Sequence, residues 1–384
     1  MRGLAATAMT AAAMTAMAMT AMAMTAVAPA TAQEVITTVE SSAGPIAVTE
    51  VTGGLVHPWG MDWLPDGRMV VTERPGRVRL VDADGALSAP LAGAPEVFAE
   101  GQGGMLDVRV DPEFADNRRL WLAFAEPGAG GASTALGHGR LEDGGIADFT
   151  TVFRMEPKHD GQNHFGARIV FADDGSIFLT LAERYEFDPA QDLSDHLGTI
   201  VRVMPDGAPH PDNPFLDRAG AQPEIWSYGH RNIQAAALEP ATGRLWVAEM
   251  GPRGGDELNL VERGANYGWP EVSWGSHYNL LPIPDPPSRP EFTDAVKQWT
   301  PVIAPSGMTF YTAGLFEAFR GDLLIGGLQS QGITRLELDG TAVVAEELIV
   351  LGDRIREVAE APDGAIHVLV DRGDGAMWRL APAQ

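Results

Sequence analysis

The chain has 384 residues, 45% of them hydrophobic, and its 52 acidic against 27 basic side chains give a formal net charge of −25. Such a charge repels nucleic-acid phosphates, so we expect no nucleic-acid partner. The sequence contains no cysteine, which excludes disulfides, thiolate metal sites and a cysteine nucleophile. The length allows one large core or two ordinary ones.

Residues 1–32 predict a secretory signal peptide. They carry one early cation, Arg2, no acidic residue, a long run of Ala and Met, and a small-residue cleavage motif that ends at Ala32. A low-complexity tail is the alternative. We expect cleavage near Ala32 and export to a periplasm, which suits a thiol-free chain. No other stretch approaches the roughly 20 apolar residues of a membrane span, so no membrane anchor is expected.

A turn rich in Pro, Asp and Gly, followed by an apolar strand, recurs along the chain. The six copies lie at residues 64–72, 111–124, 171–180, 239–247, 319–325 and 361–369. This repetition predicts an all-β protein, and specifically a six-bladed β-propeller that forms one domain over residues 33–384. A pair of β-sandwiches or a β-helix is the alternative. The proline-rich stretch at 281–290 is then a loop between blades or at the mouth of the ring.

His164 is the strongest candidate for a catalytic base. It precedes an apolar strand at 169–171, and Glu183 follows the next strand. Adjacent antiparallel strands return to the same edge of a sheet, so we expect the Glu183 carboxylate to accept a hydrogen bond from the imidazole. That bond would set the tautomer and raise the basicity of His164, as a general base requires. A lone histidine is otherwise most often an ordinary surface or core residue.

Three other polar motifs are weaker evidence for a functional site when each is considered alone. Gln102 lies in a glycine-rich segment, which is usually a plain loop. Arg231 and Asn232 place a planar cation beside an amide, which suits an anionic or quinone oxygen but also an ordinary loop salt bridge. Arg354 and Arg356 are two residues apart in an extended segment and point the same way. They converge on carboxylates of a ligand or flank acidic neighbours.

Taken together and in order, these motifs resemble the soluble PQQ-dependent aldose sugar dehydrogenases, the glucose/sorbosone dehydrogenase family. The resemblance covers essentially the whole chain after residue 32. It is carried by EGQGG at 100–104, HFG-x-R at 164–168, GHRN-x-Q at 229–234, GP-x-GGDE-x-N at 251–259, NYGWP at 266–270 and DRIR at 353–356. It implies a six-bladed propeller that holds pyrroloquinoline quinone (PQQ) and Ca²⁺ in its axial mouth.

The resemblance also implies a role for each polar motif. His164 would take the proton from the anomeric hydroxyl of an aldose as hydride passes to the quinone and a lactone forms, while Glu183 would orient His164. Gln102 would contact cofactor and substrate. Arg231 and Asn232 would bind the quinone oxygens, with Arg231 stabilising the charge that develops there.

Further cofactor contacts are implied at the carboxyl-terminal end of the chain, where Arg354 and Arg356 would hold PQQ carboxylates. Three positions depart from the family pattern. Gln329 stands where relatives often have a lysine that contacts the cofactor, Met250 replaces a common histidine, and Ala167 replaces a usual glycine. The loss of a cation at Gln329 predicts either a lower affinity for PQQ or a shift in the reactivity of the cofactor.

Calcium ligands are implied in the loop after the strand at 245–248. The backbone carbonyls of Gly251 and Pro252 would bind the ion that polarises the quinone. The Glu257 side chain and the Tyr267 carbonyl would bind a second, structural calcium ion. An ordinary exposed carboxylate is the alternative for Glu257.

Two other classes of function stay open at this point. One is a propeller lactonase or hydrolase that uses calcium alone, and the other is a non-catalytic sugar-binding propeller. No dinucleotide-binding glycine motif follows a strand and opens a helix, so nicotinamide chemistry has no support. We expect an aldose substrate and an electron acceptor that the sequence does not identify, and either a monomer or a homodimer.

Overall fold

The computed structural model describes residues 34–383. The predicted signal peptide and its cleavage position lie outside these residues. The described part contains 24 strands, one short α-helix, α1 (Phe114–Asn117), and three 3-10 helices, at Asp188–Gln191, Pro286–Ser288 and Glu317–Phe319. None of its helices has the length and hydrophobicity needed to cross a membrane.

The strands form six antiparallel sheets. Two strands that come first in the chain, β1 (Val35–Val39) and β2 (Ile46–Leu55), belong to the last sheet. The first three sheets are β3 (Pro58–Trp63), β4 (Met69–Glu73) and β5 (Arg77–Val81); β6 (Met105–Val110), β7 (Arg119–Gly128), β8 (Gly131–Glu142) and β9 (Gly145–Arg154); and β10 (Ile169–Phe171), β11 (Ile177–Thr180), β12 (Thr199–Val203) and β13 (Ile225–Tyr228).

The other three sheets complete the set. They are β14 (Ile233–Leu238), β15 (Leu245–Glu249), β16 (Asp256–Leu260) and β17 (Lys297–Trp299); β18 (Pro305–Phe310), β19 (Leu323–Gly327), β20 (Gly332–Asp339) and β21 (Ala342–Val350); and β22 (Ile355–Glu360), β23 (Ile366–Val370) and β24 (Gly375–Pro382) joined by β2 and β1.

The sheets are the blades of a propeller. The inner strand of each blade contacts the inner strand of the next, in the closed order β3, β6, β10, β14, β18, β22 and back to β3. The six turn-and-strand repeats of the sequence fall on β4, β7, β11, β15, β19 and β23, the second strand of each blade in turn. The prediction of a six-bladed propeller is confirmed, and the sandwich and helix alternatives are excluded.

Strands from the two ends of the described chain close the ring in one blade. β2 pairs with β24 in antiparallel register from Ile46 opposite Pro382 to Leu55 opposite Gly375. The closing blade therefore has five strands, and its inner strand β22 lies beside β3 of the first blade. Closure lets every blade pack against two neighbours, and the outer strand of each blade remains as a sheet edge.

Apolar side chains fill the spaces between blades, and a charged residue lies at the axis. Arg168, just before β10, is only 1% exposed. Its guanidinium pairs with Glu357 and lies 3.4 Å from an Asp107 oxygen. It also donates to the backbone carbonyls of Gln234, at 2.7 Å, and Arg356, at 3.1 Å. Arg168 thus joins the inner strands of four blades, and buried charges of this kind are tolerated only when paired.

Replacing Arg168 by Ala should destabilise the fold by about 3–5 kcal/mol, because it leaves the buried Glu357 carboxylate without its ion-pair partner and Asp107 with only Arg109, at 3.8 Å. Equilibrium unfolding in denaturant measures the loss. Arg140→Ala is the matched control, since Arg140 pairs with Glu142 at 2.7 Å on the exposed surface and such pairs contribute little. Equal losses in the two variants would contradict the axial role of Arg168.

Candidate active site

A cavity of about 360 Å³ lies at one end of the ring. Residues at or just before the start of all six inner strands line it: Trp59, Leu106, Gly166, Asn232, Ala304 and Arg354. The structure brings together here six residues that the sequence singled out, namely Gln102, Asn232, Met250, Gln329, Arg354 and Arg356. These residues lie far apart in sequence, and the closed ring makes them neighbours.

His164 and Glu183 form a buried pair beside this cavity. The distance from His164 Nδ1 to Glu183 Oε1 is 2.5 Å, and the two residues are 4% and 0% exposed. The second oxygen of Glu183 accepts the backbone N–H of Phe187 at 3.0 Å. The backbone N–H of His164 donates to Gln102 Oε1 at 2.9 Å, which ties the pair to the cavity wall.

The turn that carries His164 is compact and bends sharply. His164 itself has φ 54°, and Ala167 has φ 92°, a left-handed conformation that favours glycine. A Cβ atom on Gly166 would lie 2.7 Å from the backbone carbon of Leu181. Glycine at 166 therefore permits the close approach of this turn to Leu181, and the glycine that the family pattern has at 167 would suit the observed backbone.

The pKa of His164 lies below its ordinary value because burial disfavours the charged imidazolium. Arg231 and Arg184 lower this pKa further, whereas the hydrogen bond to Glu183 raises it. The imidazole is therefore neutral at neutral pH, with its Nδ1–H donated to Glu183. The lone pair on Nε2 is then free to accept a proton.

Arg184 holds the backbone of this turn, and the sequence did not single it out. Its guanidinium lies 3.6 Å from the ring centroid of Phe165. It donates to the carbonyls of Gly161, at 2.8 Å, and His164, at 3.3 Å. The sequence signal for Arg184 was its position directly after the candidate carboxylate Glu183. Nothing in the local sequence shows that the Arg184 side chain is buried.

Arg231 lies between the main cavity and the loop predicted to bind calcium. Its Nη1 donates to the carbonyls of Met250, at 2.8 Å, and Gly251, at 2.7 Å. One of the two predicted calcium-binding carbonyls therefore has a hydrogen-bond donor here. Asn232, the next residue, accepts a bond from Gln234 at 3.0 Å and faces the cavity.

Glu257 and Tyr267, the residues predicted to bind a second calcium ion, line a cavity of about 10 Å³, enough for a single small ion or a water molecule. Glu249, which the sequence did not single out, also lines it, as do Gly251 and Arg231. Glu249 lies opposite Glu257 in the β15–β16 pair. Burial, and then the nearby Glu249, raise the pKa of Glu257 well above its ordinary value. Asn259 donates to both carboxylates, at 3.0 and 3.3 Å.

Residues 34–383 contain no cluster of three or more acidic or imidazole side chains arranged around a metal position. The predicted calcium sites instead rely partly on backbone carbonyls. No described donor is hydrogen-bonded to the carbonyls of Pro252 and Tyr267, so both are available as ligands.

The cationic side of the cavity is more crowded than the sequence indicated. Arg354 is half exposed, whereas Arg356 is buried and donates to Asp371 at 2.7 Å and to Gln234 Oε1 at 3.2 Å. His57 also lines the cavity. Neither Asp371 nor His57 was predicted, because neither belongs to a motif that the local sequence marks as a binding or catalytic site.

The mouth beside His164 carries exposed aromatic rings. Tyr185 packs edge-on against the His164 imidazole, with 5.1 Å between ring centroids, and stacks on Tyr278 at 6.4 Å. These tyrosines are 40% and 58% exposed. Tyr278 belongs to the connection between β16 and β17, as does the proline-rich stretch at 281–290. Since β16 and β17 belong to one blade, the stretch at 281–290 is not a loop between blades. Tyr278 places this connection beside the mouth.

Comparison with known proteins supports the same class. Residues 55–379 match the family model described as Glucose / Sorbosone dehydrogenase. The aldose sugar dehydrogenase YliI of Escherichia coli (strain K12) is 42% identical over 338 residues, which cover 85% of this chain and 91% of that protein.

Solved structures agree with this match. A crystal structure of glucose dehydrogenase is 44% identical, with a TM-score of 0.85 over 88% of this chain and 99% of that one. The PQQ-bound aldose sugar dehydrogenase of Streptomyces coelicolor is 29% identical, with a TM-score of 0.72 over 88% of this chain and 98% of that one. The protein is thus a propeller oxidoreductase that acts on sugars. It belongs to the glucose/sorbosone dehydrogenase family.

Proposed function

We propose that the protein oxidises aldoses at the anomeric carbon to lactones, with PQQ and calcium as cofactors. The observation that carries this proposal is the buried His164–Glu183 pair beside a cavity that contains Arg354 and Arg356. The PQQ-bound Streptomyces coelicolor relative supports the choice of cofactor.

The residues of the cavity fit such a cofactor. PQQ is a flat polycarboxylate, and the cavity offers guanidinium groups at Arg354 and Arg356, the amide of Asn232, and apolar walls at Leu106 and Leu328. Charge-assisted bonds from arginine to carboxylate are strong and directional. When bound, PQQ supplies the quinone that accepts the hydride from the sugar, chemistry that side chains lack.

His164 then acts as the general base. Its neutral Nε2 takes the proton of the anomeric hydroxyl, and Glu183 keeps the ring oriented through Nδ1. Burial keeps bulk water away from the proton-accepting nitrogen. Arg231 lies on the same side of the mouth and offers its positive charge to the oxygen on which negative charge develops.

Calcium would complete the site at two positions. One ion would bind the carbonyls of Gly251 and Pro252 and act as a Lewis acid. Since Arg231 donates to the Gly251 carbonyl, an ion there would take over that oxygen and free an arginine donor for the cavity. A second ion would bind Glu257 and the Tyr267 carbonyl, with Glu249 as a further ligand.

Reconstitution tests the proposal directly. We expect purified protein with PQQ and Ca²⁺ to show a perturbed PQQ absorption spectrum and, on addition of aldoses, conversion to the reduced cofactor. Omitting Ca²⁺ should weaken or abolish both changes. A protein that leaves the PQQ spectrum unchanged would refute the proposal, and lactone hydrolysis with Ca²⁺ alone would establish the hydrolase alternative.

Glu183→Gln should lower kcat and move the acidic limb of the kcat/KM profile to lower pH. The active imidazole is neutral, so wild-type activity should fall only as the pH drops through the lowered pKa of His164, below its ordinary 6.5. Removing the Glu183 charge disfavours the imidazolium and lowers that pKa further. His164→Ala should reduce kcat by about 10²–10⁴-fold.

Glu186→Gln is the control for this pair of variants. Glu186 lies in the same loop, is 44% exposed and lies 3.7 Å from His159 rather than contacting His164. Its profile should match wild type. An unshifted acidic limb in Glu183→Gln, or full activity in His164→Ala, would show that another group is the base.

Glu257→Gln should raise the Tm of the calcium-free protein and reduce the further rise that Ca²⁺ produces. Burial and the facing Glu249 disfavour an ionised carboxyl at position 257, and a neutral amide avoids that cost. The substitution also removes a ligand. Thermal unfolding in EDTA and in CaCl₂ measures both effects. Glu271→Gln, at an exposed carboxylate of the following loop, should change neither. An undiminished calcium response in Glu257→Gln would place the second ion elsewhere.

A further inference from the structure

The joint that closes the ring also forms one wall of the main cavity. His57 lies in the turn between β2 and β3, and Asp371 follows β23, so 314 residues separate them. The backbone N–H of His57 donates to the carbonyl of Arg372 at 2.8 Å. Both side chains line the cavity. The first and last blades therefore meet where the cofactor is proposed to bind.

Asp371 divides its two oxygens between the two blades. Oδ1 accepts from His57 Nδ1 at 2.9 Å, and Oδ2 accepts from Arg356 Nη2 at 2.7 Å and Nε at 3.2 Å. Arg354 Nη2 lies 3.5 Å from the same Oδ2. The Asp371 side chain is only 5% exposed. One buried carboxylate thus holds an imidazole and two guanidinium groups along one side of the cavity.

These contacts leave donors and ring edges available to a ligand. Arg356 commits Nε and one hydrogen from each terminal nitrogen to Asp371 and Gln234, so two N–H groups remain. His57 is 38% exposed, and its Nε2 edge points away from Asp371. Within residues 34–383, Nε2 has no hydrogen-bond partner. The Arg74 backbone N–H donates to the His57 carbonyl at 3.0 Å and steadies this turn.

We propose that Asp371 is a positioning residue that aims Arg356 at a carboxylate of the bound cofactor, and that His57 adds a polar contact to the same anionic edge. If the His57–Asp371 pair only stabilised the fold, Asp371 would not need to hold the guanidinium groups of Arg354 and Arg356 at the cavity wall. The inference rests on the proposed function, because it concerns how the same cavity binds its cofactor. It makes ring closure a requirement for cofactor affinity.

The test measures the dissociation constant of PQQ, with Ca²⁺ present, by spectroscopic titration of the purified protein. Asp371→Asn keeps the side-chain shape but removes the charge, and it should weaken PQQ binding by about 10–100-fold, as loss of a supporting contact does in other sites. His57→Asn suits the left-handed backbone at 57, where φ is 47°. It should weaken binding about tenfold.

Asp363→Asn is the matched control. Asp363 belongs to the same blade and pairs with Arg379 at 2.8 Å on the exposed surface, so its PQQ affinity should equal that of wild type. In both test variants the loss of PQQ affinity should exceed any change in the KM for aldoses measured at saturating PQQ, because both side chains line the proposed cofactor cavity. A purely structural role would instead lower unfolding stability without changing PQQ affinity in the folded fraction.

The outcomes separate this inference from the proposed function. Wild-type protein that does not bind PQQ refutes both. Wild-type binding together with unchanged affinity in Asp371→Asn and His57→Asn overturns the inference and leaves the proposed function intact. If Asp371→Asn does not fold, the PQQ affinity of His57→Asn decides. Weaker PQQ binding in His57→Asn supports the inference, and wild-type affinity overturns it.

Discussion

The buried guanidinium of Arg168 at the propeller axis is the interaction on which the rest of the structure depends. A buried charge is stable only when all its ion-pair and hydrogen-bond partners surround it. Arg168 therefore constrains the blades that carry Asp107, Gln234 and Glu357 to one arrangement. The same arrangement sets the backbone at Arg356, one of the cavity cations. Stability at the axis and geometry at the mouth are therefore linked.

The site contains three pairs of facing polar or charged side chains. Glu183 faces His164, Asp371 faces Arg356, and Glu249 faces Glu257. His164 and Glu183 share a proton, and Arg356 and Asp371 are opposite in charge. In each of these two pairs the nitrogen-bearing side chain keeps a polar edge free for a ligand. The third pair brings two carboxyl groups together, and burial and this proximity raise the pKa of Glu257. This arrangement is the reason that the small cavity is proposed as a cation site.

Local sequence predicted much of this arrangement. The turn-and-strand repeats identified the second strand of each blade, because a Pro/Asp/Gly turn and an apolar run are short-range signals. The contact between His164 and Glu183 followed from one hairpin. The departures at Met250 and Gln329 were also visible in sequence, and both side chains line the cavity. His57, Arg184, Glu249 and Asp371 could not be predicted, because their roles come from contacts with segments that sequence spacing does not identify.

What the sequence determined by itself was the repeating β-unit, the contact of His164 with the Glu183 carboxylate, and the two guanidinium groups of Arg354 and Arg356 on one face of an extended segment. Each depends on residues within a hairpin or a single strand, where backbone geometry sets which side chains meet. Only the tertiary structure decided that His57 meets Asp371. That contact exists because strands from both ends of the described chain share one blade, and closure of a ring is a long-range property that no local pattern encodes.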